Sequence, residues 1–252
     1  MVFKEKYKLN KDKNIGSVIY IVEGNKREIN LIYYIFEKVL NYSVQRKRRD
    51  NDNIRVYESN KNKNSIVYII NSENSNIKSI NNEEFIDEQL QKIMNEDKYI
   101  NYHNFPIYYI FDCDRNKDIE ITKTLIKKYN NSRISTDEYS NIGGLLLLSF
   151  PSIESLVISC FEKKTYYFFQ NKDKNFNIKQ YNSKYNNEMF NESRIIEGFN
   201  ELIEGVENIG ILNYNLDDMT YFNLQVLDKC LNNILLSEFL LSFLDLGIIE
   251  EI

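Results

Sequence analysis

A chain of 252 residues that is 42% hydrophobic and 27% charged has the make-up of a globular protein with one substantial core and room for an appendage. Its net charge of −5 has the wrong sign for a generic nucleic-acid binder, so any contact with phosphates has to be local. Three cysteines without CxxC spacing (Cys113, Cys160, Cys230) and a single histidine, His103, argue against a disulfide framework, a zinc site and histidine-based triads.

Met1 to Lys13 is lysine-rich without an apolar h-region, which does not read as a signal peptide. Ser17 to Val22 (SVIYIV) is a short β-branched run, and Asn25 to Leu40 follows with helical spacing of Ile29, Ile32, Tyr33, Phe36 and Leu40. Arg46-Lys47-Arg48-Arg49 comes next, either a nucleic-acid patch or a solvated loop between helix and strand. Ser65 to Ile70 (SIVYII) reads as a second core strand, and Glu83 to Met94 as an amphipathic helix carrying Phe85, Leu90 and Ile93. Pro106 to Phe111 (PIYYIF) is a strand, Ile119 to Tyr129 a helix, Leu145 to Phe150 (LLLLSF) a buried strand, and Ser152 to Phe161 a helix.

Strands alternating with helices at this interval imply an α/β fold built on a parallel sheet covered on both faces. The expected organisation is an α/β catalytic domain over residues 1–165, a polar insertion or linker over 166–192, and a helical subdomain over 193–252. The longest apolar run, Leu231 to Ile249, is broken by Asn, Ser, Glu and Asp, so no membrane span and a cytoplasmic location are expected.

Carboxylates recur just past the ends of the apolar runs. Glu23-Gly24 closes the first, Asp112-Cys113-Asp114 another, and Glu154 follows the LLLLSF strand. A parallel α/β sheet gathers the carboxyl ends of its strands along one edge, so these groups can converge although far apart in sequence. Hard divalent cations select such oxygen donors. In Asp112-Cys113-Asp114, continued strand geometry projects both carboxylates to one side, where they repel unless a cation lies between them. Gly24 allows close backbone approach to a phosphate, and the amides from Asn25 to Glu28 begin a helix whose positive end favours anions. The bland alternatives are helix caps for Asp112 and Glu154 and a dipole-satisfying first-turn role for Glu28. Capping accounts for one of these acids well and for the whole series poorly.

Taken in series, IYIVEG at Ile19 to Gly24, EGNKRE at Glu23 to Glu28, YYIFDCD at Tyr108 to Asp114 and SFPSIESLVISCF at Ser149 to Phe161 resemble the Toprim catalytic domain. The EGxxxE spacing is similar to that of RloB-like and abortive-infection, OLD-related Toprim proteins. Two departures are Arg27, where the family carries Thr before the second glutamate, and Arg115 to Asp118 (RNKD), which offers no firm third aspartate.

The resemblance implies metal-assisted hydrolysis of a phosphodiester in prokaryotic antiviral defence. Asp112 and Asp114 are expected to hold Mg²⁺ or Mn²⁺, with Glu23 completing that site or serving as general base, and Glu28 and Glu154 positioning a second ion. Gly24, Lys26, Arg27 and Arg115 are the expected phosphate contacts. The partners it implies are a nucleic-acid substrate, tRNA or DNA, and an ATPase in trans, since no GxxxxGK[ST] occurs in the chain. A homo-oligomer is a further option. The competing readings are a non-catalytic interaction module of the same fold and a metal-dependent phosphatase or nucleotidyl transferase.

Overall fold

The computed structural model describes residues 6–23, 27–46, 54–71, 105–113, 119–129, 144–167, 177–185, 189–211, 214–230 and 234–252. Strands β1 (Tyr7–Leu9) and β2 (Ser17–Val22) are followed by helix α1 (Arg27–Tyr34), which runs on into a π-helical turn over Ile35–Val39. Next come β3 (Tyr42–Arg46), β4 (Ile54–Ser59), β5 (Ile66–Asn71), β6 (Ile107–Asp112), α2 (Ile119–Tyr129), β7 (Leu145–Phe150) and α3 (Glu154–Phe161). The remainder holds α4 (Ile178–Asn182), α5 (Glu192–Asn208), α6 (Thr220–Cys230), β8 (Leu236–Ser237), α7 (Leu241–Asp245) and β9 (Ile249–Glu251).

The fold is mixed α/β. A seven-stranded sheet in the order β3-β4-β5-β2-β6-β7-β8 is flanked by helices, and β1 pairs with β9 in a separate ribbon. The four central strands, β5, β2, β6 and β7, are parallel, in keeping with their largely apolar runs. Val18 to Val22 and all six residues of β7 are buried, so both faces of the sheet are covered there. The expectation of a wholly parallel sheet is corrected at its margins, because β4 runs antiparallel to β5, β3 to β4 and β8 to β7. Those edge strands are short or half-polar, and their pairing is set by neighbours rather than by an apolar run of their own.

Residues 193–252 are helical over α5, α6 and α7 but also supply β8 and β9. Their side chains join the core of the central sheet. Tyr20 stacks on Tyr108 with centroids 5.2 Å apart and meets Phe239 at 5.9 Å, and its hydroxyl donates to Ser242 Oγ at 3.0 Å. Helix α5 lies against α3 so closely that a Cβ built on Gly198 would stand 2.6 Å from Cys160 Sγ. The same segment closes the outer edge of β7, since β8 covers only Ser149 and Phe150. Beyond it, Glu238 Oε2 accepts from the Leu148 amide at 2.9 Å, and Asn223 Nδ2 donates to the Leu146 carbonyl at 2.7 Å. An unpaired strand edge is a liability, and here side chains do what a longer β8 would have done.

Within 166–192, a 3₁₀ turn at Thr165–Tyr167 and α4 punctuate the polar stretch. Asn177 Oδ1 caps α4 through the amides of Lys179 and Gln180. No helix among the described residues is long and apolar enough to cross a membrane. The expected Glu83–Met94 helix and His103 lie outside the described residues.

Candidate metal centre

Parallel register brings the strand ends level. Val22 pairs with Asn71 on one side and Ile110 on the other, and Asp112 pairs with Ser149. One step beyond β2 lies Glu23, which is buried; Oε2 of its carboxylate accepts from the Asp112 amide at 3.2 Å. Asp112 ends β6, half-buried, and its Oδ1 accepts from the Ile153 amide at 2.8 Å. Glu154 opens α3 and is almost wholly buried, so its carboxylate sits at the positive end of that helix. Glu28 lies in the first turn of α1, half-buried.

The capping alternative for Asp112 is thus partly realised, at the helix that follows β7. The amide it accepts from stands just ahead of α3, not α2. That hydrogen bond fixes the carboxylate between β6 and the turn leading to Glu154. It leaves the series Glu23, Glu28 and Glu154 without a capping explanation in common.

These acids feel one another. Burial pushes the Asp112 carboxyl well above the usual carboxylate range, and the charges of Glu28, Glu23 and Glu154 push it further, against the stabilising Ile153 amide. Glu28 is raised as well, first by burial and then by Glu154 and Glu23, while its own backbone amide and Lys179 on α4 act in the opposite sense. Four carboxylates from three strand ends therefore share one electrostatic neighbourhood. Its one described ion pair joins Arg27 Nη1, at the start of α1, to Glu154 Oε1.

The donor set is all carboxylate oxygen, which suits Mg²⁺ or Mn²⁺ and not zinc or copper. Glu23, Glu28, Asp112 and Glu154 are the residues that would hold such an ion. Among the described residues, no three histidine, cysteine or acidic side chains form a ready-made cage. Of the remaining expected site residues, Asp114, Arg115, Gly24, Lys26, Lys47, Arg48 and Arg49 lie outside the described residues. Arg46 ends β3, opposite Val56 across a register shift, rather than lying in a loop.

Sequence reasoning assigned no role to three polar residues at this edge. Asn71 closes β5 and is buried, Ser149 pairs with Asp112, and Ser152 is buried in the turn between β7 and α3. Asn71 carried a readable signal, because it follows SIVYII just as Glu23 follows SVIYIV. Lys179 carried none, lying in a polar stretch 151 positions from Glu28 by chain numbering. Comparison with family models, with curated proteins and with solved structures finds no match for this chain.

Proposed function

We propose that the chain is a Toprim-like, Mg²⁺- or Mn²⁺-dependent nuclease hydrolysing phosphodiester bonds of tRNA or DNA. The observation that carries this reading is the convergence of Glu23, Glu28, Asp112 and Glu154 on one sheet edge, two of them pushed up by burial and mutual repulsion. Such crowding destabilises the fold, and perturbed carboxyls gathered at strand ends support the reading of this edge as a functional site. A bound divalent cation supplies Lewis-acid polarisation of the phosphate and a water of lowered pKa.

The chain's own residues do the rest. Asp112, fixed by the Ile153 amide, and Glu23, fixed against the Asp112 amide, form the rigid part of the donor set. Glu28, raised by burial and by Glu154 and Glu23, is suited to hold and return a proton at its carboxyl oxygen. Arg27, exposed at the rim, neutralises a phosphate oxygen. On this reading the protein acts in prokaryotic antiviral or abortive-infection defence within the cytoplasm, under the control of an ATPase partner.

One observation favours a second reading. Arg27 already neutralises Glu154, as it would in a fold-keeping module that binds a partner protein without catalysis. The purified chain and Asp112→Asn, incubated with Mn²⁺ or Mg²⁺ and a mixture of supercoiled plasmid, linear DNA and total tRNA, separate the two. Metal-dependent cutting that vanishes in the variant supports the nuclease, and the polymer consumed identifies the substrate. Absence of cutting together with absence of metal binding transfers the assignment to the interaction module.

A further inference from the structure

Arg27 is oddly placed for a structural residue. It is the first residue of α1, where the helix dipole disfavours a cation and favours the neighbouring Glu28. Its side chain is 56% exposed, yet its guanidinium reaches Glu154, whose side chain is only 4% exposed. Glu154 in turn starts α3, where the dipole favours its negative charge. The hold on Arg27 therefore comes from Glu154 and not from its own helix. A long side chain rooted at the rim can swing into solvent, whereas the carboxylate cannot leave the interior, so Arg27 departs only when another cation takes its place.

From this geometry we infer that Arg27 is an exchangeable internal cation: it occupies Glu154 in the metal-free chain and is displaced when a divalent ion binds, freeing its guanidinium for a substrate phosphate. Metal loading and phosphate binding are then coupled, because whatever draws Arg27 outward opens Glu154. A phosphodiester is the chemistry that does so, since a guanidinium binds phosphate oxygens in bidentate fashion. This inference rests on the metal-site reading above and adds the order in which that site fills.

The test titrates Mn²⁺ into the 252-residue chain, reading free Mn²⁺ by electron paramagnetic resonance, for wild type, Arg27→Gln, Glu154→Gln and the double variant. Arg27→Gln is expected to bind Mn²⁺ about tenfold more tightly than wild type, and the same substitution made on Glu154→Gln is expected to change nothing beyond about twofold. An equal gain in both backgrounds reduces Arg27 to a general field effect and overturns the exchange. Unchanged or weaker binding by Arg27→Gln overturns it as well, while leaving the metal site intact. If no variant binds Mn²⁺, both the exchange and the metal-site reading fall.

Discussion

Glu238 offers the sharpest test of the packing. It is fully buried beside β7, and its one described hydrogen bond is the Leu148 amide donating to Oε2, with Oε1 meeting no partner among the described residues. Burial raises its carboxyl from 4.5 to about 8, against the opposing pull of the Leu148 amide. A carboxyl whose folded value lies above its unfolded value stabilises the fold fully below the unfolded value. That contribution is lost as pH rises towards the folded one. The window runs from 4.5 to about 8, and each unit within it costs about 1.4 kcal/mol. Glu238→Gln keeps an oxygen acceptor for Leu148 and cannot ionise. Urea unfolding of wild type and variant at intervals from pH 5 to pH 8 should show the wild type losing several kcal/mol, roughly 4, relative to the variant. Asp112 and Glu28 titrate in the same direction but equally in both chains, so the difference isolates Glu238. A stability difference that stays flat across that range refutes the reasoning and places Glu238 in a wetter setting.

Asp112→Asn keeps the acceptor for the Ile153 amide while removing a repelled carboxylate, so the metal-free variant should be more stable, by on the order of 1 kcal/mol, in differential scanning calorimetry at neutral pH. Gly198→Ala, which in an ordinary helix stabilises by about 1 kcal/mol, should here destabilise by about 1–3 kcal/mol in urea, because the new methyl meets Cys160 Sγ. A stabilised Gly198→Ala would show that α5 is not seated on α3 as described. Asn223→Ala removes the buried side-chain hydrogen bond to the Leu146 carbonyl at the β7 edge and should cost about 1–3 kcal/mol by the same assay.

The strands that carry the candidate site were legible because each is apolar along most of its length, as suits parallel strands covered on both faces; SVIYIV and LLLLSF need no context. The acids of the candidate site stood out for a related reason, since Glu23 and Asp112 interrupt apolar runs at their ends. The antiparallel margins were not. Tyr42 to Arg46 (YSVQR) and Ile54 to Ser59 (IRVYES) alternate weakly, and their pairing depends on β5 being present. Leu236 and Ser237 sit in a stretch whose periodicity reads as helix, and only pairing with Phe150 and Ser149 makes them strand. The Arg27–Glu154 contact joins residues 127 positions apart, and no local pattern encodes such a pair. Glu238 was invisible for the opposite reason: in a run of Leu and Phe, a glutamate looks like a solvent-facing residue until the sheet edge it closes is known.

The most direct test of the metal-centre assignment is anomalous diffraction from a crystal of the chain soaked in Mn²⁺. The account predicts a Mn²⁺ peak at the carboxyl ends of β2 and β6, ligated by Asp112 with Glu23 or Glu154 and lost in Asp112→Asn crystals. A Mn²⁺-soaked crystal with no peak at that edge, or with one that persists in Asp112→Asn, contradicts it.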